Sequence, residues 1–152
     1  MYRAIPPRST LRLAAVATAV AALASLAQEA RATSCLSGPF FVFFDPGEDV
    51  ITAKAQPILD NAASAYLGEV CGIGGRFVVK GHSDRSGSAA YNLSLSRRRA
   101  ERVRAYLIER GLPGREIGLE AFGEDRPLVD TPDGVPHAEN RRVEFTFTLP
   151  GW

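Results

Sequence analysis

An α/β sandwich, with a mixed sheet of about four strands and helices packed on one side of it, is the fold class the sequence predicts. Three observations lead there. Short β-favouring runs alternate with segments whose apolar residues recur every three or four positions, the order that layers helices on a sheet. The last of these runs, Arg142-Val143-Glu144-Phe145-Thr146-Phe147-Thr148, alternates strictly between polar and apolar residues, as a strand with one solvated face does. Once an N-terminal leader is set aside, about 120 residues remain, enough for one domain with one core and too few for two.

The leader is read over residues 1–32, as a cleaved signal peptide. Arg3, Arg8 and Arg12 supply a basic start, Leu13 to Ala27 an apolar run, and Ala30-Arg31-Ala32 a small-residue exit. The apolar run falls short of the ~20 residues that span a bilayer, so no transmembrane anchor is expected in the mature chain. Removing the leader takes away four of the 18 Lys and Arg and one of the 17 Asp and Glu, leaving 14 against 16 and a net charge of −2. That balance argues against nucleic acid as a partner.

A short segment, 33–39, leads to the domain expected over 40–149. Phe40-Phe41-Val42-Phe43-Phe44 is a continuous apolar run closed by the turn residues Asp45-Pro46-Gly47, and it reads as a central strand buried on both faces. From Thr52, a plausible N-cap, the spacing of Ala55, Ile58 or Leu59, Ala62 and Tyr66 is helical. Pro57 lies one turn inside that helix and predicts a later start or a bend. After the punctuation of Gly72 to Gly75, Arg76 to His82 is the second strand and Ser83 to Ala90 a loop. The longest helix follows, with Ser96 as its expected cap, Ala100, Val103 and Leu107 as its apolar stripe, and Gly111 with Pro113 as its end. Arg97, Arg98 and Arg99 then fall in its first turn, where the helix dipole prefers acids, and a broken local rule points to a functional site. Ile117 to Phe122 is the third strand, and Gly123 to Asn140 mostly loop.

Cys35 and Cys71 remain after the leader, and an exported pair is more often bridged than free, so a disulfide is expected. It would be worth roughly 4 kcal/mol in the chain-entropy model. Lipidation at Cys35 is the rival reading. Against it, Ala32-Thr33-Ser34 precede the cysteine where a Leu would be expected first, and lipidation would leave Cys71 unpaired.

The motifs resemble a known family, the C-terminal peptidoglycan-binding domain shared by outer membrane protein A, the peptidoglycan-associated lipoprotein and the flagellar stator protein MotB. Three stretches carry the resemblance across Phe40 to about Thr148. They are Val42-Phe43-Phe44-Asp45, then Gly81-His82-Ser83-Asp84-Arg85-Ser86-Gly87 with Tyr91-Asn92, Leu95-Ser96 and Arg99-Ala100, and finally Asn140-Arg141-Arg142-Val143. Gly123-Glu124 with Pro127 also matches the family's loop after the third strand.

The resemblance implies non-covalent binding of the meso-diaminopimelate end of the peptidoglycan stem peptide, a group with an ammonium and a carboxylate. On this sequence the ammonium-binding Asp falls on Asp84, the carboxylate-binding Arg on Arg99, the pocket Asn on Asn92 and the first Arg of the closing motif on Arg141, with Asp45 lining the same pocket. The residue chemistry agrees. An ionised Asp84 can accept from an ammonium, and the planar fork of Arg99 can meet a carboxylate with two parallel hydrogen bonds. Arg142 reads instead as a strand-end salt bridge to Glu144 or Glu139, and Tyr91 and the Phe run as packing. A periplasmic, wall-associated protein is implied, with the outer membrane nearby and other envelope proteins as candidate partners. A protein-interaction module with little wall binding is the alternative. An enzyme using His82, Asp84 and His137 as metal ligands or an acid/base set lacks further His, zinc-spaced Cys or a nucleophile elbow, so neither catalysis nor a cofactor is expected.

Overall fold

The computed structural model describes residues 39–67 and 76–148. The readings of a leader over 1–32, of most of 33–39 and of the pair Cys35 and Cys71 lie outside the described residues. Within them, four strands are β1 Phe40–Phe43, β2 Arg76–Gly81, β3 Ile117–Ala121 and β4 Arg142–Thr148. Two helices, α1 Gln56–Leu67 and α2 Ala89–Glu109, connect β1 to β2 and β2 to β3, with single 3-10 turns at Gly114–Glu116 and Ala138–Asn140. The expected mixed sheet of four strands is observed, in the order β1-β4-β2-β3. β4 runs antiparallel to both β1 and β2, while β2 and β3, joined by the α2 crossover, are parallel.

Both helices cover one face of this sheet. Val42, Phe77, Val79, Val143 and Phe145 point from the strands into a single core with Leu59, Ala62 and Ala63 of α1 and Ala100, Val103 and Leu107 of α2. Aromatic rings fill the centre: Phe145 stacks on Phe40 at 5.2 Å between centroids and on Phe77 at 5.5 Å, and Phe147 meets Phe77 edge-on at 4.7 Å. Each fully buried ring contributes roughly 2–3 kcal/mol of transfer free energy.

Three expectations are corrected. β1 is an edge strand, bonded to β4 alone. Its continuous apolar run arises because Val42 and Phe44 face the core while Phe41 and Phe43 stack on each other on the open face, where Phe43 is 46% exposed. Thr52 is not the N-cap: α1 starts at Gln56, the later start that is one of the two outcomes Pro57 predicts. Thr52 does accept from the Ala55 amide through its hydroxyl at 3.3 Å, but it closes a turn ahead of the helix. The later start places Pro57 in the first turn, where its missing N–H has no intrahelical partner to lose.

The third correction bears on the site. α2 starts at Ala89 and is capped by Ser88, whose hydroxyl accepts from the Tyr91 amide. Ser96 lies inside the helix, fully buried. The buried stripe is Asn92, Leu95, Ser96, Arg99, Ala100, Val103 and Leu107, and its polar members conceal the first half of the helix from an apolar pattern. Arg97, Arg98 and Arg99 are therefore mid-helix, and the dipole conflict read from the sequence does not exist. The end of α2 is as expected, with Gly111 at φ +98° after the C-cap Arg110.

Candidate functional site

The site forms where β2 ends. Gly81 allows it: a Cβ there would lie 2.0 Å from the carbonyl oxygen of Ser96, so α2 packs its backbone directly on the strand. The next residues leave the strand under control, His82 donating its amide to the Arg142 carbonyl at 2.9 Å and Ser83 to Gly123 at 2.8 Å. Asp84 arrives with 4% exposure. One carboxylate oxygen accepts from the Ser86 hydroxyl at 2.6 Å, and the other from Arg141 Nη1 at 3.0 Å and the His137 amide at 3.3 Å. Burial pushes the carboxyl pKa up, but the bonds from Ser86 and Arg141 outweigh it and hold Asp84 below the ordinary carboxylate range.

Arg99 reaches the same place from beneath. It is completely buried, with its guanidinium carbon 5.2 Å from the centroid of the Phe44 ring. Its N–H groups donate to three main-chain carbonyls: Nε to Glu48 at 2.8 Å, Nη2 to Asp45 at 3.0 Å and Nη1 to His82 at 3.3 Å. Burial lowers its pKa to about 10, which leaves it charged at neutral pH. Arg99 is thus a clamp on the 45–48 turn and the end of β2 as well as a source of positive charge.

Arg141 joins the two sides, donating through Nε to the Phe44 carbonyl at 3.0 Å while holding Asp84. Asn92 is 1% exposed, and its amide donates to the Gly87 carbonyl at 3.3 Å and to the Glu124 carboxylate, tying the 84–88 loop to the loop after β3. Asp45 meets Arg99 through its carbonyl, while its side chain is exposed on the rim of a cleft of about 650 Å³. The fold therefore gathers Asp84, Arg99, Arg141 and the Asp45 main chain into one cluster, with Asn92 bracing it from the side. Arg142 pairs with Glu144, Nε to carboxylate at 2.8 Å, as its spacing suggested. Arg85 pairs with Asp130 at 3.0 Å rather than with Asp84.

Several working residues escaped the sequence reading. Ser86 holds Asp84, and the Asp-x-Ser spacing of an Asx turn was the available signal, since the Ser86 amide also points at Asp84 Oδ1, at 3.4 Å. Asn140 organises the last loop, accepting from the Leu128 and Val129 amides, both at 2.8 Å, and donating to the Val129 carbonyl at 2.7 Å. The buried Ser96 hydroxyl receives the Gly123 amide at 3.0 Å. No local pattern announces these last two, because their partners lie far along the chain.

His82 stands apart from the cluster. Its ring lies 5.3 Å from that of Phe122 and its Nε2 3.7 Å from the Glu144 carboxylate. Burial, then the charge of Arg142, lowers its pKa to about 4 against the opposing pull of Glu144. His137 meets Asp84 through its main chain only. Among the described residues no group of three His, Cys, Asp or Glu could hold a metal ion. No helix among them is long and apolar enough to cross a membrane.

Comparison with known proteins places these features in context. A family model described as OmpA family matches residues 43–141. The peptidoglycan-associated lipoprotein of Rhizobium meliloti is 36% identical over 102 residues, which are 67% of this chain and 56% of that protein. That of Pseudomonas aeruginosa is 33% identical over 94 residues, 62% of this chain and 56% of its own length. An outer membrane protein of Gluconacetobacter diazotrophicus is 37% identical over 112 residues, 70% of this chain and 29% of that protein. The chain spans about half the length of the lipoproteins it matches. Among solved structures, the peptidoglycan-associated lipoprotein from Burkholderia pseudomallei superimposes with a TM-score of 0.62 at 25% identity, covering 71% of this chain and 89% of that one. The C-terminal domain of Helicobacter pylori MotB does so with a TM-score of 0.61 at 21% identity, covering 76% and 87%, and shares the fold.

Proposed function

We propose that this chain, which belongs to the OmpA family, binds cell-wall peptidoglycan without catalysing any reaction, through the meso-diaminopimelate end of the stem peptide. The family is one of structural envelope proteins rather than enzymes. The observation that carries the reading is the convergence of one ionised carboxylate, Asp84, with two guanidinium groups, Arg99 and Arg141, around the end of β2. A zwitterionic end group needs both signs within a few ångströms. The ligand ammonium takes the place of the Ser86 hydroxyl on Asp84, since Ser86 is exposed and can turn away, whereas Arg141 is anchored on Phe44. The ligand carboxylate faces the remaining N–H groups of Arg141, with the buried charge of Arg99 behind them.

In this reading residues 1–32 are an export signal, the mature protein lies in the periplasm close to the outer membrane, and Cys35 bridges Cys71. Relatives named peptidoglycan-associated lipoprotein and outer membrane protein support the location. The bridge is checked by alkylating the mature protein with and without prior reduction; labelling of both cysteines without reduction excludes it.

Function is tested by sedimenting the purified protein with insoluble diaminopimelate-type sacculi, beside the near-isosteric Asp84→Asn variant and an Arg141→Gln variant, each checked for folding. The parent is expected in the pellet and both folded variants in the supernatant. A folded parent that stays in solution, or an Asp84→Asn variant that pellets equally well, rejects the proposal.

A further inference from the structure

β3 forms the edge of the sheet opposite β1. Among the described residues it is bonded to β2 alone, and its sequence, Ile117-Gly118-Leu119-Glu120-Ala121, has neither a proline nor a lysine to blunt a free edge. The direction of its main-chain groups follows from alternation. Phe122 donates its amide to the Gly81 carbonyl at 3.0 Å, so Glu120 and Gly118 before it also turn toward β2, while Ile117, Leu119 and Ala121 turn outward. Ile117 agrees with this and is satisfied locally: its amide donates to the Gly114 carbonyl, and its carbonyl accepts from Arg104 Nε at 3.4 Å. Leu119 and Ala121 present theirs on the open side.

α2 overhangs this edge. Glu101, Ala105 and Ile108 recur at helical spacing and, with Arg104, Glu109 and Leu119, line a groove of about 530 Å³ between the helix and β3. Its middle is apolar, formed by Ala105, Leu119 and Ile108, the last 38% exposed. Glu101 and Glu109 stand toward its two ends, both exposed, and Glu120 is exposed on the adjoining strand. Arg104, the cation of the lining, is turned to main-chain carbonyls, Nη2 to Gly114 at 2.8 Å and Nε to Ile117. The charges left to face an incoming group are acidic.

We propose that this groove binds an extended peptide segment of a partner protein, which adds to β3 as a further strand and seats one apolar side chain over Ala105 between two basic ones. Form, spacing and charge each support a part of this. The outward main-chain groups of an edge strand are matched by another strand. Glu101 and Glu109 are eight residues apart on α2, about 12 Å along the axis at 1.5 Å per residue. Strand residues four apart, on one face, are separated by about 13 Å. A segment of the pattern basic-x-apolar-x-basic therefore brings one cation to each glutamate and the apolar residue to the middle. A second copy of this chain fits worse, since two β3 edges joined about a twofold axis would set the same acids of the two copies together. The groove shares no residue with the cluster of Asp84, Arg99 and Arg141, so the inference is independent of the function proposed above.

The test follows isotope-labelled protein by NMR, with the peptide acetyl-Thr-Lys-Thr-Leu-Thr-Lys-Thr-amide as probe and the same peptide with both lysines replaced by glutamate as control. With the probe at ten times its dissociation constant, hydrogen exchange at the Leu119 and Ala121 amides should slow by about tenfold, because the edge is then free for only about a tenth of the time. The control should leave both amides unchanged. Combined Glu101→Lys and Glu109→Lys replaces two exposed attractions by repulsions and should weaken the probe by about tenfold. Ala105 is exposed, so Ala105→Trp fills the groove without entering the core and should abolish the protection while the rest of the spectrum stays that of the folded parent. Unchanged exchange at Leu119 and Ala121 in the presence of the probe, or equal binding of the control peptide, overturns the proposal. Amides already protected in the free protein overturn it too: protection that grows with protein concentration assigns the edge to a second copy, and protection that does not assigns it to this chain itself.

Discussion

Arg141 holds Asp84 and the end of β1 at once: Nη1 meets the Asp84 carboxylate and Nε the Phe44 carbonyl, each at 3.0 Å. The side chains of Asp84 and Arg141 are 5% and 13% exposed, so the pair is largely shielded from water. Two loops distant in sequence are joined through it, and within the pair each charge balances the other in the free protein.

Breaking one half of this pair is expected to be worse than removing both. Arg141→Leu leaves a buried carboxylate short of its partner and should destabilise the protein by about 3 kcal/mol, whereas Arg141→Leu combined with Asp84→Asn should recover most of that loss. Urea denaturation of the single and double variants measures it. Additive losses would show that the two side chains are not coupled.

Arg99 donates to the carbonyls of Glu48, Asp45 and His82 from full burial. Arg99→Leu strands all three, and at about 1 kcal/mol or more for each unsatisfied group the loss should reach at least 3 kcal/mol. In a domain of this size that lowers the melting temperature by roughly 10 °C or more, seen by circular dichroism. Arg99→Lys retains the charge but not the fork and should fall between. A melting temperature for Arg99→Leu equal to the parent's contradicts the clamp.

His82 carries a pH dependence whose sign follows from its low pKa. In the folded protein the ring stays neutral down to about pH 4, whereas in the unfolded chain it takes up a proton near 6.5. Protons therefore favour unfolding in that window: the contribution is complete above 6.5 and declines as pH falls toward 4, by up to about 1.4 kcal/mol per unit. The charges of Arg142, Glu144 and Arg126 face the ring, and the linkage from the lowered pKa of Asp84 develops as pH falls through the usual carboxylate pKa, at the acid end of that window. Stability measured by urea at pH 7 and 5 should differ in the parent and differ much less in His82→Phe. The same slope in both proteins would assign it elsewhere.

Gly81 and Gly87 offer a contrast of close contacts. A Cβ at Gly81 would meet main-chain atoms of Ser96 at 2.0 and 2.7 Å, and neither β2 nor α2 can yield without moving the core. Gly81→Ala should lose more than about 3 kcal/mol, beyond ordinary overpacking. At Gly87 the contacts are side-chain atoms of Tyr91 at 2.9 Å and Asn92 at 3.0 Å. Tyr91 is exposed and can turn, so Gly87→Ala should be milder, about 1 kcal/mol. Comparison of the two melting temperatures decides the matter, and a Gly81→Ala protein as stable as Gly87→Ala would refute the close helix-to-strand contact.

Much of this protein was determined locally and could be read from its sequence. The extents of β2, β3 and β4 follow from β-favouring runs and strict alternation, the end of α2 from Gly111, and the Arg142 pair with Glu144 from a two-residue spacing along one strand face. Asp84, Arg99, Asn92 and Arg141 were legible as motif positions. What the tertiary structure alone decided depends on partners distant in the chain. β1 is an edge strand because β4, a hundred residues later, inserts between it and β2, and no property of Phe40 to Phe44 encodes that order. The start of α2 at Ala89, after its cap Ser88, was hidden because Asn92, Ser96 and Arg99 occupy its buried face, where their partners come from Glu124, Gly123 and the 45–48 turn. A polar residue in a sequence looks solvated until the fold brings it a hydrogen-bond partner, and that partner is what makes its burial affordable.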